Sequence, residues 1–222
     1  MSYTVLESRR ETAALATTKV IRNTYSLLAM TLLFSALMAA ASMAMDVGRG
    51  PAMLASLLAL GLIWFALPRT ANSGAGIGVV FAITGLMGFG LGPMLDAYLR
   101  LPNGGEIVMT ALGGTGVIFL ALSGYALTSK RDFSFMGGFL VVGMLVVLGA
   151  SLLNLFFAVP AASLAISAAV IVLMSGFLLF DTSRMVNGGE TNYVVMTVNL
   201  YLNIFNIFVN LLQILGVTRN DE

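Results

Sequence analysis

The stretch YVVMTVNLYLNIFNIFVNLLQILG, residues Tyr193–Gly216, decides how the chain folds. It contains no charged residue, and at 24 residues it exceeds the roughly 20 that a helix needs to cross the hydrocarbon core of a bilayer. Five amides interrupt it, Asn199, Asn203, Asn206, Asn210 and Gln213, at spacings of 4, 3, 4 and 3. On a helix those spacings form one stripe, with Leu200, Ile204, Phe205, Phe208 and Leu211 on the other faces. An amide turned to lipid leaves its donors and acceptors unsatisfied at a cost of several kcal/mol. The stripe is therefore expected to face protein or water, with this helix central and the others around it. Two readings of the stripe stand side by side. One is a set of interhelical hydrogen bonds worth roughly 0.6–2 kcal/mol each. The other is a polar wall along a permeation path.

The rest of the chain has the same character. Of its 222 residues 59% are hydrophobic and 9% charged, against about 25% charged in a soluble domain. Six uncharged gaps of 19 to 48 residues hold about three quarters of the protein. Five gaps each fit one helix, and Pro160 divides the longest into two, since proline ends or kinks a helix. The expected architecture is an all-α membrane protein of seven transmembrane helices, six surrounding a central seventh. The spans are placed at Tyr25–Met45, Pro51–Leu67, Gly74–Leu95, Ile107–Thr128, Phe133–Phe157, Ala161–Phe180 and Tyr193–Gly216. The lipid bilayer is the first partner that this implies, and no nucleic-acid partner is expected.

Residues 1–24 read as a polar N-terminal tail, 25–216 as the transmembrane domain and 217–222 as a short C-terminal tail. The first apolar run begins too late and is too long for a cleavable signal, so the tail is expected to be retained. With seven spans, eight Lys and Arg residues fall on the side of the N-terminus and three on the other. The positive-inside rule then puts the N-terminus in the cytoplasm and the C-terminus outside.

The absences exclude functions. The chain has no His and no Cys, which removes the commonest ligands of zinc, haem and iron–sulfur sites and any Ser–His or Cys nucleophile. Its two lysines, Lys19 and Lys130, lie outside the spans, so an intramembrane Schiff base is ruled out. Composition favours a channel, transporter or regulator over an enzyme, and no cofactor is expected.

Glycines at four-residue spacing, Gly74 with Gly78 and Gly88 with Gly92, let helices approach closely, and Gly113 and Gly114 read the same way in the fourth span. Gly92-Pro93 has a second reading as a helix break beside a cavity. Asp181, at the cytoplasmic end of the sixth span, has two readings as well. It is either an interfacial charge paired with Arg184, or a desolvated carboxylate at the inner mouth of a polar path that acts as a protonation switch with Arg69 as partner.

Several motifs carry a family likeness. They are Gly92-Pro93, Ala111-Leu112-Gly113-Gly114-Thr115, Lys130-Arg131-Asp132-Phe133-Ser134-Phe135 and Leu200-Tyr201-Leu202. With these and its seven-span layout, the chain resembles the Bax inhibitor 1 (transmembrane Bax inhibitor motif) family. The segments Lys19-Val20-Ile21-Arg22-Asn23-Thr24-Tyr25 and Gly188-Gly189-Glu190-Thr191-Asn192-Tyr193 are most similar to its bacterial YccA-like branch. That resemblance implies a bacterial inner-membrane protein that is a substrate and modulator of FtsH, the ATP-dependent membrane protease. The broader family implies a pH-sensitive calcium leak, through one Asp in the sixth helix and one in the seventh. Asp181 matches the first and is a weak calcium candidate, but Asn203 stands where the second belongs, and an amide does not titrate. Calcium ions and protons remain possible partners on that reading alone. Helix length adds a further expectation, that Asn203 lies deeper in the membrane than Asp181.

Overall fold

A computed structural model describes residues 2–129 and 131–218, with side chains from Leu15 onward. Lys130 and Arg219 therefore lie outside the described residues, as do Met1 and most of the expected C-terminal tail. The described residues form α1 (Ser2–Ala44), α2 (Arg49–Gly61), α3 (Leu67–Thr70), α4 (Ala75–Leu99), α5 (Gly104–Ser129), α6 (Gly137–Phe157), α7 (Pro160–Val186) and α8 (Tyr193–Thr218). Seven segments are long and apolar enough to cross a membrane, the second being α2 and α3 joined through a π-helical turn at Leu62–Ala66. The backbone of the expected N-terminal tail is continuous with the first span from Ser2, and Val20 and Ile21 pack against the core.

Local chemistry accounts for the joints. Pro68 lacks an N–H and its ring collides with the carbonyl four residues back, so the helix widens into the π turn just before it. Pro160 opens α7, where a missing N–H costs nothing. Before it Ala158 adopts a left-handed backbone with φ of 49°, and the Val159 N–H donates to Asn154 Oδ1 at 3.0 Å.

The tightest packing is along α4, which lies between α1 and α2. A Cβ on Gly88 would sit 2.2 Å from the Ser35 carbonyl oxygen, and one on Gly92 would sit 2.3 Å from Ser42 Oγ. On the opposite face, a Cβ on Gly90 would meet Ser56 Oγ at 2.2 Å. In lipid no hydrophobic drive brings helices together, so this backbone-to-backbone approach supplies the van der Waals contact instead. α4 runs through Pro93 unbroken, so the break expected at Gly92-Pro93 is absent. Not every glycine packs. Gly113 is exposed and Gly74, Gly78 and Gly113 have no atom near a built Cβ, while Gly114 meets only Leu211 at 3.3 Å.

The last helix packs against α1, α4, α5 and α7. Instead of six spans around a seventh, four enclose α8, while α2 packs on α4 and α6 on α7. Gly88→Ala should therefore destabilise the bundle by about 1–3 kcal/mol through forced separation of α1 and α4. Gly113→Ala should fall within about 0.5 kcal/mol of the parent. Unfolding of the detergent-solubilised protein measures both, and equal effects would contradict the seam.

Candidate functional site

The polar groups of α8 point in two directions. Toward α1 and α4, the Tyr201 hydroxyl lies 2.7 Å from Ser35 Oγ and donates to the Thr84 carbonyl at 3.3 Å. This node is buried and ties three helices together; Leu200-Tyr201-Leu202 was quoted from the sequence as a family motif, but the hydroxyl's partners on two distant helices are invisible there. Toward α7, Asn203 Nδ2 donates to Asp181 Oδ2 at 2.9 Å. Asp181 is 5% exposed and Asn203 6%.

That second contact corrects the expected difference in depth. α7 continues to Val186, six residues beyond the Phe180 end placed from sequence, so Asp181 lies more than a turn inside its helix and level with Asn203. The other expected partners of Asp181 are engaged elsewhere. Arg69 is exposed and its guanidinium donates to the Phe65 carbonyl of its own helix. Arg184 stacks over the Phe180 ring at 5.5 Å, with Nη2 3.7 Å from Glu190 Oε2. One amide donor and one carboxylate face each other at the two positions, Asn203 and Asp181, where the resemblance implies two acids in the broader family.

The amide stripe is partly covered. Among the described residues, Asn203 is the one of its five members that bonds to another helix. Asn206 and Asn210 donate back along α8, to the carbonyls of Leu202 and Asn206, each at 2.8 Å. A cavity of about 410 Å³ beside Asp181 and Asn203 also takes in Asn199 and Asn206, with Met144 of α6 as its far wall. A second, of about 560 Å³, adjoins Gln213 at the other end of α8, among Ser151, Asn154 and Ser163. The stripe thus faces the side where α6 packs on α7 and stands off α8.

The ends of the helices nearest Asp181 are fixed by Ser183 of α7 and by Asp132 and Asn192 of the quoted motifs. Ser183 Oγ accepts the Phe133 N–H and donates to the Arg131 carbonyl, both at 2.9 Å, which docks the α5–α6 connection onto α7. In that connection Asp132 Oδ1 accepts the Ser134 N–H at 2.8 Å. Hydrogen bonding to Ser134 holds the Asp132 carboxyl below its ordinary value. Asn192 Nδ2 donates to Asn72 Oδ1 at 2.8 Å and to the Ala71 carbonyl at 3.1 Å. The same residue caps α8, with Oδ1 accepting the Val194 N–H at 2.9 Å. Among the described residues no group of three His, Cys, Asp or Glu gathers to hold a metal ion.

The family model described as inhibitor of apoptosis-promoting Bax1 matches residues 17–220. The chain belongs to this Bax inhibitor family. Within the family it is 44% identical over 221 residues to the Escherichia coli K12 protein named modulator of FtsH protease YccA, with all of both chains covered. An uncharacterised membrane protein of Vibrio cholerae is 49% identical over 208 residues, covering 94% of this chain and 93% of the other. A protein of a second E. coli strain, named inner membrane protein YccA, is 44% identical over the full length of both. Membership agrees with the seven spans, and the protein is a multi-pass membrane protein.

Replacing Asn203 by Leu should leave the Asp181 carboxylate buried without its amide donor and cost about 1–3 kcal/mol of stability. Asn203→Gln, which keeps a donor, should recover part of that loss in the same unfolding measurement. The Asp132 contact gives a pH dependence of definite sign. A carboxyl whose value is lowered in the folded protein stabilises fully above its ordinary value of 3.8. The contribution fades as pH falls through the lower, folded value. The protection factor of the Ser134 amide, which is its exchange rate relative to the intrinsic rate at the same pH, should fall in acid accordingly, and Asp132→Ala should remove that dependence.

Proposed function

We propose that the protein is an integral inner-membrane regulator, a substrate and modulator of an FtsH-type ATP-dependent membrane protease, and not an enzyme. The observation that carries this is the full-length likeness to the E. coli protein named for that modulation. Two physical features support it. A bundle whose spans meet along glycine seams and buried hydrogen bonds resists extraction, because pulling one helix out exposes polar groups to lipid. Of the expected polar tail, residues 1–18 precede Val20 and Ile21, which pack against the core, and give a cytoplasmic unfoldase something to grasp. The orientation that fits has the N-terminus in the cytoplasm and the C-terminus on the far side, as the excess of Lys and Arg implies.

The calcium-leak reading is not favoured. The broader family's second acid is Asn203 here, and its amide is engaged as a donor to Asp181. A calcium site asks for several oxygen ligands that include carboxylates, and one carboxylate bonded to an amide N–H offers little. In place of a gate, Asp181 and Asn203 are proposed to join α7 to α8 and set how firmly the protease must pull.

Deleting residues 1–18 tests the proposal. The truncated protein should persist at least several-fold longer than the parent in cells containing the protease, and should no longer alter degradation of other membrane substrates. Unchanged lifetime and unchanged substrate degradation, with no complex trapped on a proteolytically inactive protease, would remove the reading.

A further inference from the structure

A cleft of about 360 Å³ opens to the lipid between α1 and α5, two helices that stand apart while both pack against α8. Small side chains make the space: Ala36, Ala39 and Ala40 on α1, and Gly116 on α5. Ala36, Ala40 and Leu112 are exposed at its mouth, and Tyr201 and Phe205 of α8 lie behind. The polar side chains on its wall are already engaged. Ser35 and Tyr201 bond each other, and Thr115 Oγ1 donates to the Ala111 carbonyl at 2.7 Å. With no hydrogen bond left to offer, the cleft accepts an apolar chain and penalises a polar one.

Met43 borders this cleft and also a smaller cavity of about 120 Å³ at the α1–α2 turn. The second cavity has a different chemistry. Ser42 is on its wall, fully buried, with an Oγ that has no hydrogen-bond partner. α2 begins there behind Gly48, which has no side chain to cap the helix; Pro51 has no N–H and that of Ala52 donates to the Gly48 carbonyl, which leaves the N–H groups of Arg49 and Gly50 for an anion. Arg49, in that first turn, makes no ion pair among the described residues. Beside these donors lie Asp46 and Asp96, bridged by Arg100 with Nε 2.8 Å from Asp96 and Nη2 3.9 Å from Asp46. Two carboxylates and two guanidiniums balance, which matches a ligand carrying both charges better than an anion.

We propose that this edge of the bundle binds one phospholipid with a zwitterionic, amine-bearing headgroup. One acyl chain lies in the α1–α5 cleft. The phosphate meets Ser42, Arg49 and the start of α2, and the ammonium meets Asp46 and Asp96. Met43 is the point where chain gives way to headgroup, at the end of α1 where the exposed Asp46 marks the membrane surface.

The test uses the full chain reconstituted with equal amounts of phosphatidylethanolamine and phosphatidylglycerol, then extracted in mild detergent and weighed intact by native mass spectrometry. The expected result is a single retained phosphatidylethanolamine. Arg49→Ala combined with Ser42→Ala should lower its retention about tenfold, the loss of a charge-assisted hydrogen bond. Ala40→Phe, which fills the cleft, should abolish it, with an unchanged unfolding temperature showing that the bundle is intact. If that variant does not fold, Ala36→Leu at the mouth reads out the same space. No retained lipid, equal retention of both headgroups, preference for phosphatidylglycerol, or retention indifferent to these substitutions would each overturn the proposal.

Discussion

Hydrocarbon offers polar atoms no partner, and that constraint shapes the inside of this bundle. α8 places Tyr201 and Asn203 two residues apart, so that they leave the helix on different sides. One bonds toward α1 and α4, the other toward α7. Four of the seven spans are thereby linked through two positions of α8. Losing either contact strands groups on helices far apart in sequence, since Ser35 and Tyr201 are 166 residues apart. Such bonds average under 1 kcal/mol in membranes, so they orient helices more than they glue them.

The gluing falls to small residues. Gly88 brings α4 against the Ser35 carbonyl of α1, and Gly92 and Gly90 make room for the hydroxyls of Ser42 on α1 and Ser56 on α2. Glycines elsewhere are placed differently: Gly143 and Gly176 make room for the Leu side chains of α6 and α7 to interlock. α6 has little of its surface covered and rests on α7, which leaves the space beside the amide stripe. A tightly sealed half, α1 with α2 and α4, thus stands beside a looser half made by α5, α6 and α7.

Much of this was legible in the sequence, and the reason is physical. A span must be long, apolar and uncharged, so charge-free gaps located all seven helices, although the first begins at Leu15, ten residues before the Tyr25 start that the gap indicated. Proline chemistry located the α6–α7 turn. Packing was less legible, because a glycine that touches a neighbour and one that faces lipid look the same in one dimension; Gly88 and Gly113 differ only in what lies opposite. The end of the sixth span misled as well. It was placed at Phe180 with Asp181 at the edge, yet the Arg184 stem folds over Phe180 and its charge meets Glu190, which lets α7 continue and carries Asp181 inward.

That inward position bears on what the pair can do. Two carboxylates this close share a proton and respond to pH as one unit, whereas a carboxylate and an amide have a fixed direction of donation. With Asn203 Nδ2 donating to Asp181 Oδ2, the contact ties α7 to α8 in the arrangement seen here. The same substitution that weakens an ion-conducting reading strengthens a mechanical one, since resistance to extraction needs a bond that holds and a leak needs one that lets go. In a protein proposed to be pulled on by a protease, the absence of a second acid at position 203 is then part of the design of the bundle and no defect in it.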